Sequence, residues 1–157
     1  MKKLLSLLLF SLFLAACSKN DLSPVIQVTD VYVNENKETN FVKMMEAMPE
    51  LQIGDRVEVA LNLRGNGTDL KSFQVNLDEV ISLRELIYQK KEVSTEGDFT
   101  NVKKGHLRFV DGVKNTTLII KVVVTAEMQE DMKLLFYLSS KAECDAAQCE
   151  LVLWTKE

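Results

Sequence analysis

Polar and apolar residues alternate through much of this chain. Val57, Val59, Leu61 and Leu63 are interleaved with Arg56, Glu58, Asn62 and Arg64. After the turn-rich Gly65-Asn66-Gly67-Thr68-Asp69 the pattern resumes as Phe73, Val75 and Leu77 against Ser72, Gln74 and Asn76. Successive side chains of a strand leave the backbone on opposite sides, so a period of two marks a strand with one buried face. Leu107 and Phe109 alternate with His106 and Arg108 in the same way. Leu118, Ile120, Val122 and Val124 form one face of a further strand, whose other face carries Ile119, Lys121 and Val123 and is expected to be partly covered. Asp111-Gly112 and Asn115 supply the turn between these two. Val25 to Val33 reads as the first strand, and Lys133 to Ala142 and Glu150 to Thr155 as the last two. About seven short antiparallel strands joined by polar turns predict a mainly β sandwich and not alternating βαβ units.

Two segments depart from the alternation. Phe41, Met44, Met45 and Met48 recur at helical spacing, with Thr39 or Asn40 placed to cap the start and Pro49 just past the end. They predict a short helix that covers one end of the sandwich with a Met-rich stripe. Asp78 to Glu92 reads two ways: Val80, Leu83 and Ile87 have helical spacing, whereas Ile87, Gln89, Lys91 and Val93 continue a strand. A helical turn followed by a strand is the expectation there.

The N-terminus sets the compartment. Lys2 and Lys3 precede an apolar run from Leu4 to Ala16 broken only by Ser6 and Ser11, the layout of a secretory signal peptide. As a helix that run spans about 20 Å, short of the hydrocarbon core of a bilayer, so it does not read as a permanent membrane span. Leu14-Ala15-Ala16-Cys17 resembles the bacterial lipobox. That resemblance implies lipidation of Cys17 and cleavage before it, which accounts for an odd cysteine in an exported chain. Residues 1–16 are then the cleaved signal peptide, 17–24 a polar lipidated tether and 25–157 the domain. Two or three acyl chains make an effectively stable membrane anchor. Ser18 is not the acid of an inner-membrane retention signal, so a cell envelope location at the outer membrane is expected, on its periplasmic face or at the surface.

Composition narrows the chemistry. The 157-residue chain is one domain in length, large enough to bury a core without a metal. Cleavage removes two lysines and no acids, taking 19 basic against 23 acidic residues to 17 against 23, a formal charge of −6. That balance disfavours nucleic acid as a partner. His106 is the only histidine, and with Cys17 and the remaining two cysteines otherwise explained, no catalytic triad or multi-histidine metal site is expected. No glycine-rich phosphate loop occurs, because Arg64-Gly65-Asn66-Gly67-Thr68 lacks the lysine and the following helix. No catalytic residue, cofactor or metal is assigned, and the chain does not read as an enzyme.

Cys144 and Cys149 lie between the last two strands in a compartment that permits disulfides, and are expected to be bonded. A hairpin pairing them puts Ala142 opposite Leu151, Ser140 opposite Leu153 and Leu138 opposite Thr155, a register that agrees with the apolar pattern. Closing so small a loop contributes about 2 kcal/mol. The same register places Tyr137, Val152 and Trp154 on the opposite face, where aromatic side chains can form a ligand platform or cover the sheet edge. Glu143 then faces Glu150, with Asp145 beside them. A calcium site is conceivable there, but without a recognised loop motif solvated acids are the safer reading.

The lipobox, Ile53-Gly54-Asp55 leading into a strand, Leu70-Lys71-Ser72-Phe73 opening the next and the terminal cysteine hairpin together resemble small Bacteroidetes lipoproteins with an immunoglobulin-like domain. The resemblance implies an immunoglobulin-like antiparallel β-sandwich of about seven strands with one or two short helices. It implies no activity, and a fold alone supplies none. The expected function is a non-catalytic binding or assembly module, held at the membrane by lipid on Cys17 and presenting the 143–150 hairpin to an envelope protein or glycan. Tyr137, Trp154 and Asp145 are its candidate binding residues. The alternatives are an envelope inhibitor or chaperone-like factor and, third, a carboxylate-dependent hydrolase.

Overall fold

A computed structural model describes residues 23–127 and 131–153. The expected signal peptide, Cys17, most of the tether and Trp154 lie outside the described residues. Eight strands form there: β1 (Val25–Val33), β2 (Arg56–Arg64), β3 (Leu70–Leu77), β4 (Ile81–Ile87), β5 (His106–Arg108), β6 (Asn115–Val124), β7 (Met132–Ser140) and β8 (Ala147–Leu153). They build two four-stranded antiparallel sheets, in the orders β1-β2-β6-β4 and β5-β3-β7-β8.

The alternation works as expected. Val57, Val59, Leu61 and Leu63 of β2 pair with Val122, Ile120, Leu118 and Thr116 of β6, and all eight are buried. Phe73 and Val75 of β3 and Leu134, Phe136 and Leu138 of β7 form the facing layer from the second sheet. The Phe73 and Phe136 rings stack with centroids 6.3 Å apart. Burying side chains of this size contributes about 1.5–3 kcal/mol each and drives the two sheets together. Ile119, Lys121 and Val123, the second face of β6, are half-buried, as their mixed composition suggests.

Two departures have physical causes. The Met-rich stripe forms two 3-10 turns, Phe41–Lys43 and Met45–Ala47, in place of a helix. Asn40 does cap the first: its side-chain oxygen accepts from Val42 N at 3.1 Å and from Val31 N at 3.0 Å, and its amide donates to Thr29 O and Asp30 Oδ1. That clamp fixes the segment against the bulge in β1. The run before Pro49 is too short for cooperative helix formation, and the residue preceding a proline is pushed to extended backbone, as Met48 is at ψ 137°. Phe41 and Met48 pack into the core while Met44 is exposed.

The ambiguous 78–92 segment begins with a turn in which Ile81 N donates to Asp78 O at 3.0 Å, followed by β4. The helical spacing of Val80, Leu83 and Ile87 does not mark one face: Val80 precedes β4, and Leu83 and Ile87 face Val122 and Ile119, on opposite sides of the sheet. Ile81, Leu83 and Leu86 face Val124, Val122 and Ile120 across the ladder, and the register shifts between Leu83 and Glu85. The extra residue at this bulge is left unpaired and bends the strand, and Lys90–Glu92 forms a 3-10 turn in place of the expected continuation of a strand from Ile87 to Val93.

The terminal hairpin corrects the expected register. Leu138 faces Ala147 instead of Thr155, a slide of eight residues, and Phe136, Leu134 and Met132 face Cys149, Leu151 and Leu153. No disulfide joins Cys144 to Cys149: the first lies in the connecting loop and the second within β8. An even slide leaves every side chain on its original face, so alternation cannot choose between the two registers. Packing chooses: the observed register lines buried Met132 and Leu134 up with Leu153 and Leu151 over the core.

Candidate functional site

The outer face of the first sheet is a ladder of paired charges. Across the four strands one row runs Tyr32, Glu58, Lys121, Glu85. Lys37 lies over the Tyr32 ring at 4.4 Å and pairs with Glu58; Lys121 bonds Glu85 at 2.9 Å, and Arg56 bonds Glu35 at 2.9 Å. These side chains line an open cleft of about 550 Å³ in which each acid has a basic partner. The Glu85 hydrogen bond holds the Lys121 ammonium above its ordinary value. Burial, with the hydrogen bond to Asp30, raises the Tyr32 phenol.

The outer face of the second sheet is different. Its central row runs His106, Gln74, Tyr137, Gln148 over β5, β3, β7 and β8, flanked by Arg108, Ser72, Ser139 on one side and Asn76, Leu135, Glu150 on the other. The Ser72 and Ser139 hydroxyls bond each other at 2.6 Å, and Gln74 Nε2 donates to Asn76 Oδ1 at 2.7 Å. Formal charge on these strands comes from Arg108 on β5, the exposed Lys71 at the bulge in β3, and the Lys133–Glu150 pair, 3.5 Å apart, on β7 and β8. Phe99, exposed, stands 6.1 Å from the His106 ring, with the Arg108 guanidinium 5.8 Å from its centroid.

Local sequence fixes this corner. Asn101 caps a 3-10 turn (Val102–Lys104) by accepting from Lys104 N, and Gly105 follows in the left-handed region at φ +74°. A side chain at Gly105 would place its Cβ 2.3 Å from Val75 Cγ1, so only glycine lets β5 close against β3 and bring His106 into the row.

The cysteine hairpin lies elsewhere. Asn66 Nδ2 donates to Ser23 O at 2.7 Å, Gly65 N to Lys114 O and Leu70 N to Val113 O at 2.7 Å each, and Lys141 N to Asp69 O at 2.9 Å. The 141–146 loop is therefore at the end of the sandwich where the chain enters at Ser23. Lys141 pins it there by bonding Asp111 at 2.6 Å, a contact that raises the lysine above its ordinary value. Asp145 is exposed in that loop. Glu150 faces Leu135 and pairs with Lys133, so the expected opposition of Glu143 and Glu150 does not occur. Among the described residues no group of three or more His, Cys, Asp or Glu is placed to hold a metal ion, and no helix is long and apolar enough to cross a membrane.

Of the three candidate binding residues, Tyr137 stands in the central row of an outer face, Asp145 belongs to the loop at the entry end, and Trp154 is outside the described residues. Sequence reasoning missed the neighbours of Tyr137. Ser72, Gln74 and Asn76 were legible as a polar strand face, but which strands flank β3 is a matter of topology. Burial raises the Cys149 thiol above its ordinary value.

No curated protein matches the chain in sequence. Among solved structures, BslA, described as a bacterial hydrophobin, aligns at TM-score 0.44 and 11% identity over 85% of this chain and 98% of its own. The domain of unknown function DUF5035 matches residues 17–155, almost the entire sequence, and the protein belongs to that family.

Proposed function

We propose that this protein is a lipid-anchored, non-catalytic binding module of the bacterial cell envelope, and that it binds through the outer face of the β5-β3-β7-β8 sheet around Tyr137. The observation that carries the reading is the contrast between the outer faces. The first sheet pairs the charges of its central row internally, whereas the second presents an uncharged row whose central ring, Tyr137, makes no side-chain hydrogen bond among the described residues. Solvated aromatic and amide groups grouped on a rigid sheet suit a ligand better than they suit stability.

The anchor reading rests on the lipobox, and the start of the family match at Cys17 supports it. Five residues separate Cys17 from Ser23, so the six steps between them reach about 20 Å at full extension. The hairpin end would then stay beside the bilayer, with the Tyr137 face along the side of the domain, so that face is preferred over the hairpin as the binding surface. An immunoglobulin-like fold is supported by strand order: with β5 set aside, β1-β2-β6-β4 and β3-β7-β8 follow the ABED and CFG sheets of such domains. The departure is β5, which follows β4 in sequence yet pairs with β3.

Crosslinking of intact cells that express the full chain, followed by purification, tests the reading. Capture of a specific envelope component that is lost in Tyr137→Ala and kept in Lys121→Ala is expected. Capture insensitive to Tyr137→Ala, or lost only when residues 143–146 are changed, would overturn it. Cys17→Ser should release the protein from the membrane fraction; retention of that variant would remove the anchor.

A further inference from the structure

We infer that the face around Tyr137 binds a neutral glycan, along a line running from Phe99 and His106 to Gln148. The inference rests on the binding-face reading above and names the ligand class. A pyranose presents two chemistries at once: axial C–H bonds on the ring faces, which pack on aromatic rings, and hydroxyls around the edge, which donate and accept in the ring plane. The face offers both. Tyr137 is flanked in its row by the planar amides of Gln74 and Gln148, each able to donate and accept, with Asn76 and the Ser72–Ser139 pair in the adjoining rows.

Spacing fits the same ligand. His106 and Tyr137 are separated by the width of β3, two strand intervals or about 10 Å, the span of a disaccharide. Phe99 beside His106 supplies a second exposed aromatic surface at the far end of that span. Ring stacking at both ends, with Gln74 between them, describes a site for two or more linked sugars.

Charge and desolvation weigh against the main competitors. An acidic polymer would meet two cations at one margin, Arg108 and Lys71, and an acid, Glu150, at the other, in a chain whose formal net charge is already negative. A protein surface would bury the amides of Gln74, Asn76 and Gln148 against partly apolar contacts and leave some of them unpaired, at a cost of about 1–3 kcal/mol for each such group. A ligand dense in hydroxyls re-pairs them directly or through water.

Affinity electrophoresis of the detergent-solubilised full chain through gels containing mannan, laminarin, xylan or polygalacturonate tests the inference. Retardation by at least one of the three neutral polymers, persisting at high salt, is expected. Tyr137→Ala should weaken it about tenfold and Tyr137→Phe, which keeps the ring, only a few-fold. Lys121→Ala should leave it unchanged. Cooperative thermal unfolding of each variant, with at most a few degrees' shift in midpoint, confirms that the fold is intact. No retardation in any neutral gel, equal retardation of Tyr137→Ala, or retardation by polygalacturonate alone would overturn the inference. If no neutral polymer binds while crosslinked capture still depends on Tyr137, the glycan falls and the binding face stands. If neither depends on Tyr137, both fall.

Discussion

The two sheets of this sandwich are built alike on the inside and differently on the outside. Both bury regular rows of Val, Leu, Ile and Phe against each other. Outward, the β1-β2-β6-β4 sheet alternates acids and bases along one row, Glu58, Lys121, Glu85, with Lys37 pairing Glu58 and, beside the row, Arg56 pairing Glu35. The β5-β3-β7-β8 sheet carries hydroxyls, amides, His106 and Tyr137 in the equivalent place. A charge already paired with its neighbour has little to gain from a third group, and a partner would first have to break the pair. Neutral amides and an aromatic ring lose little on desolvation once their hydrogen bonds are replaced. On the proposed reading the first face stays wet and the second meets a ligand.

The comparison can be broken most directly inside β7. Phe136→Ala, which empties a fully buried site, should cost about 3–5 kcal/mol in urea unfolding. Tyr137→Ala, one residue along and pointing outward, should cost about 1 kcal/mol or less. Equal losses would mean that the Tyr137 face is packed against something and is not an open surface.

Next comes the corner that brings β5 into the row. Gly105 and Gly97 share φ +74°, but a Cβ at Gly105 would lie 2.3 Å from Val75 Cγ1 whereas nothing lies within 4 Å at Gly97. Gly97→Ala should cost about 1 kcal/mol, the backbone term alone, and Gly105→Ala about 2 kcal/mol more from the clash. Gly105→Ala should also weaken ligand capture, since His106 and Arg108 follow it directly. Equal costs for the two would show that β5 is held loosely and that the row ends at β3.

On the opposite face a double-mutant cycle of Lys121→Ala and Glu85→Ala should give a coupling near the limit of measurement that fades as salt rises, because both side chains are well exposed. A large, salt-resistant coupling would mean that the charged face is structural.

The smallest effect is in alkaline solution. The Cys149 thiol is raised, so folding favours its neutral form; that contribution is complete below its ordinary value of 9.0 and is lost as pH rises through the higher folded value. The Lys121 ammonium is raised too, so its contribution is complete below 10.5 and disappears above it. Urea midpoints should therefore begin to fall above pH 9.0 in the wild type and later in Cys149→Ser. Identical onsets would show that burial of Cys149 has no bearing on stability.

Alternation alone located β1, β2, β3, β6 and β7, though not every end of them, and determined which side of β2, β6 and β7 is core, because a strand with one wet face has to write its burial every second residue. Asn40 as a cap was likewise legible, its side chain acting within two residues of itself. Three features were not. The bulge at Arg84 was not visible in the spacing, the Met-rich stripe became two 3-10 turns, and the last hairpin slid eight residues from the register that its cysteines suggested. Each turns on contacts between residues far apart in sequence. The same holds for the candidate site: Tyr137 was visible from its own strand, but Gln74 and His106 reach it only because β3 enters between β5 and β7. Periodicity is a local property and fixes which face a side chain occupies; sheet order and register are set by non-local packing, and they alone decided what stands beside it.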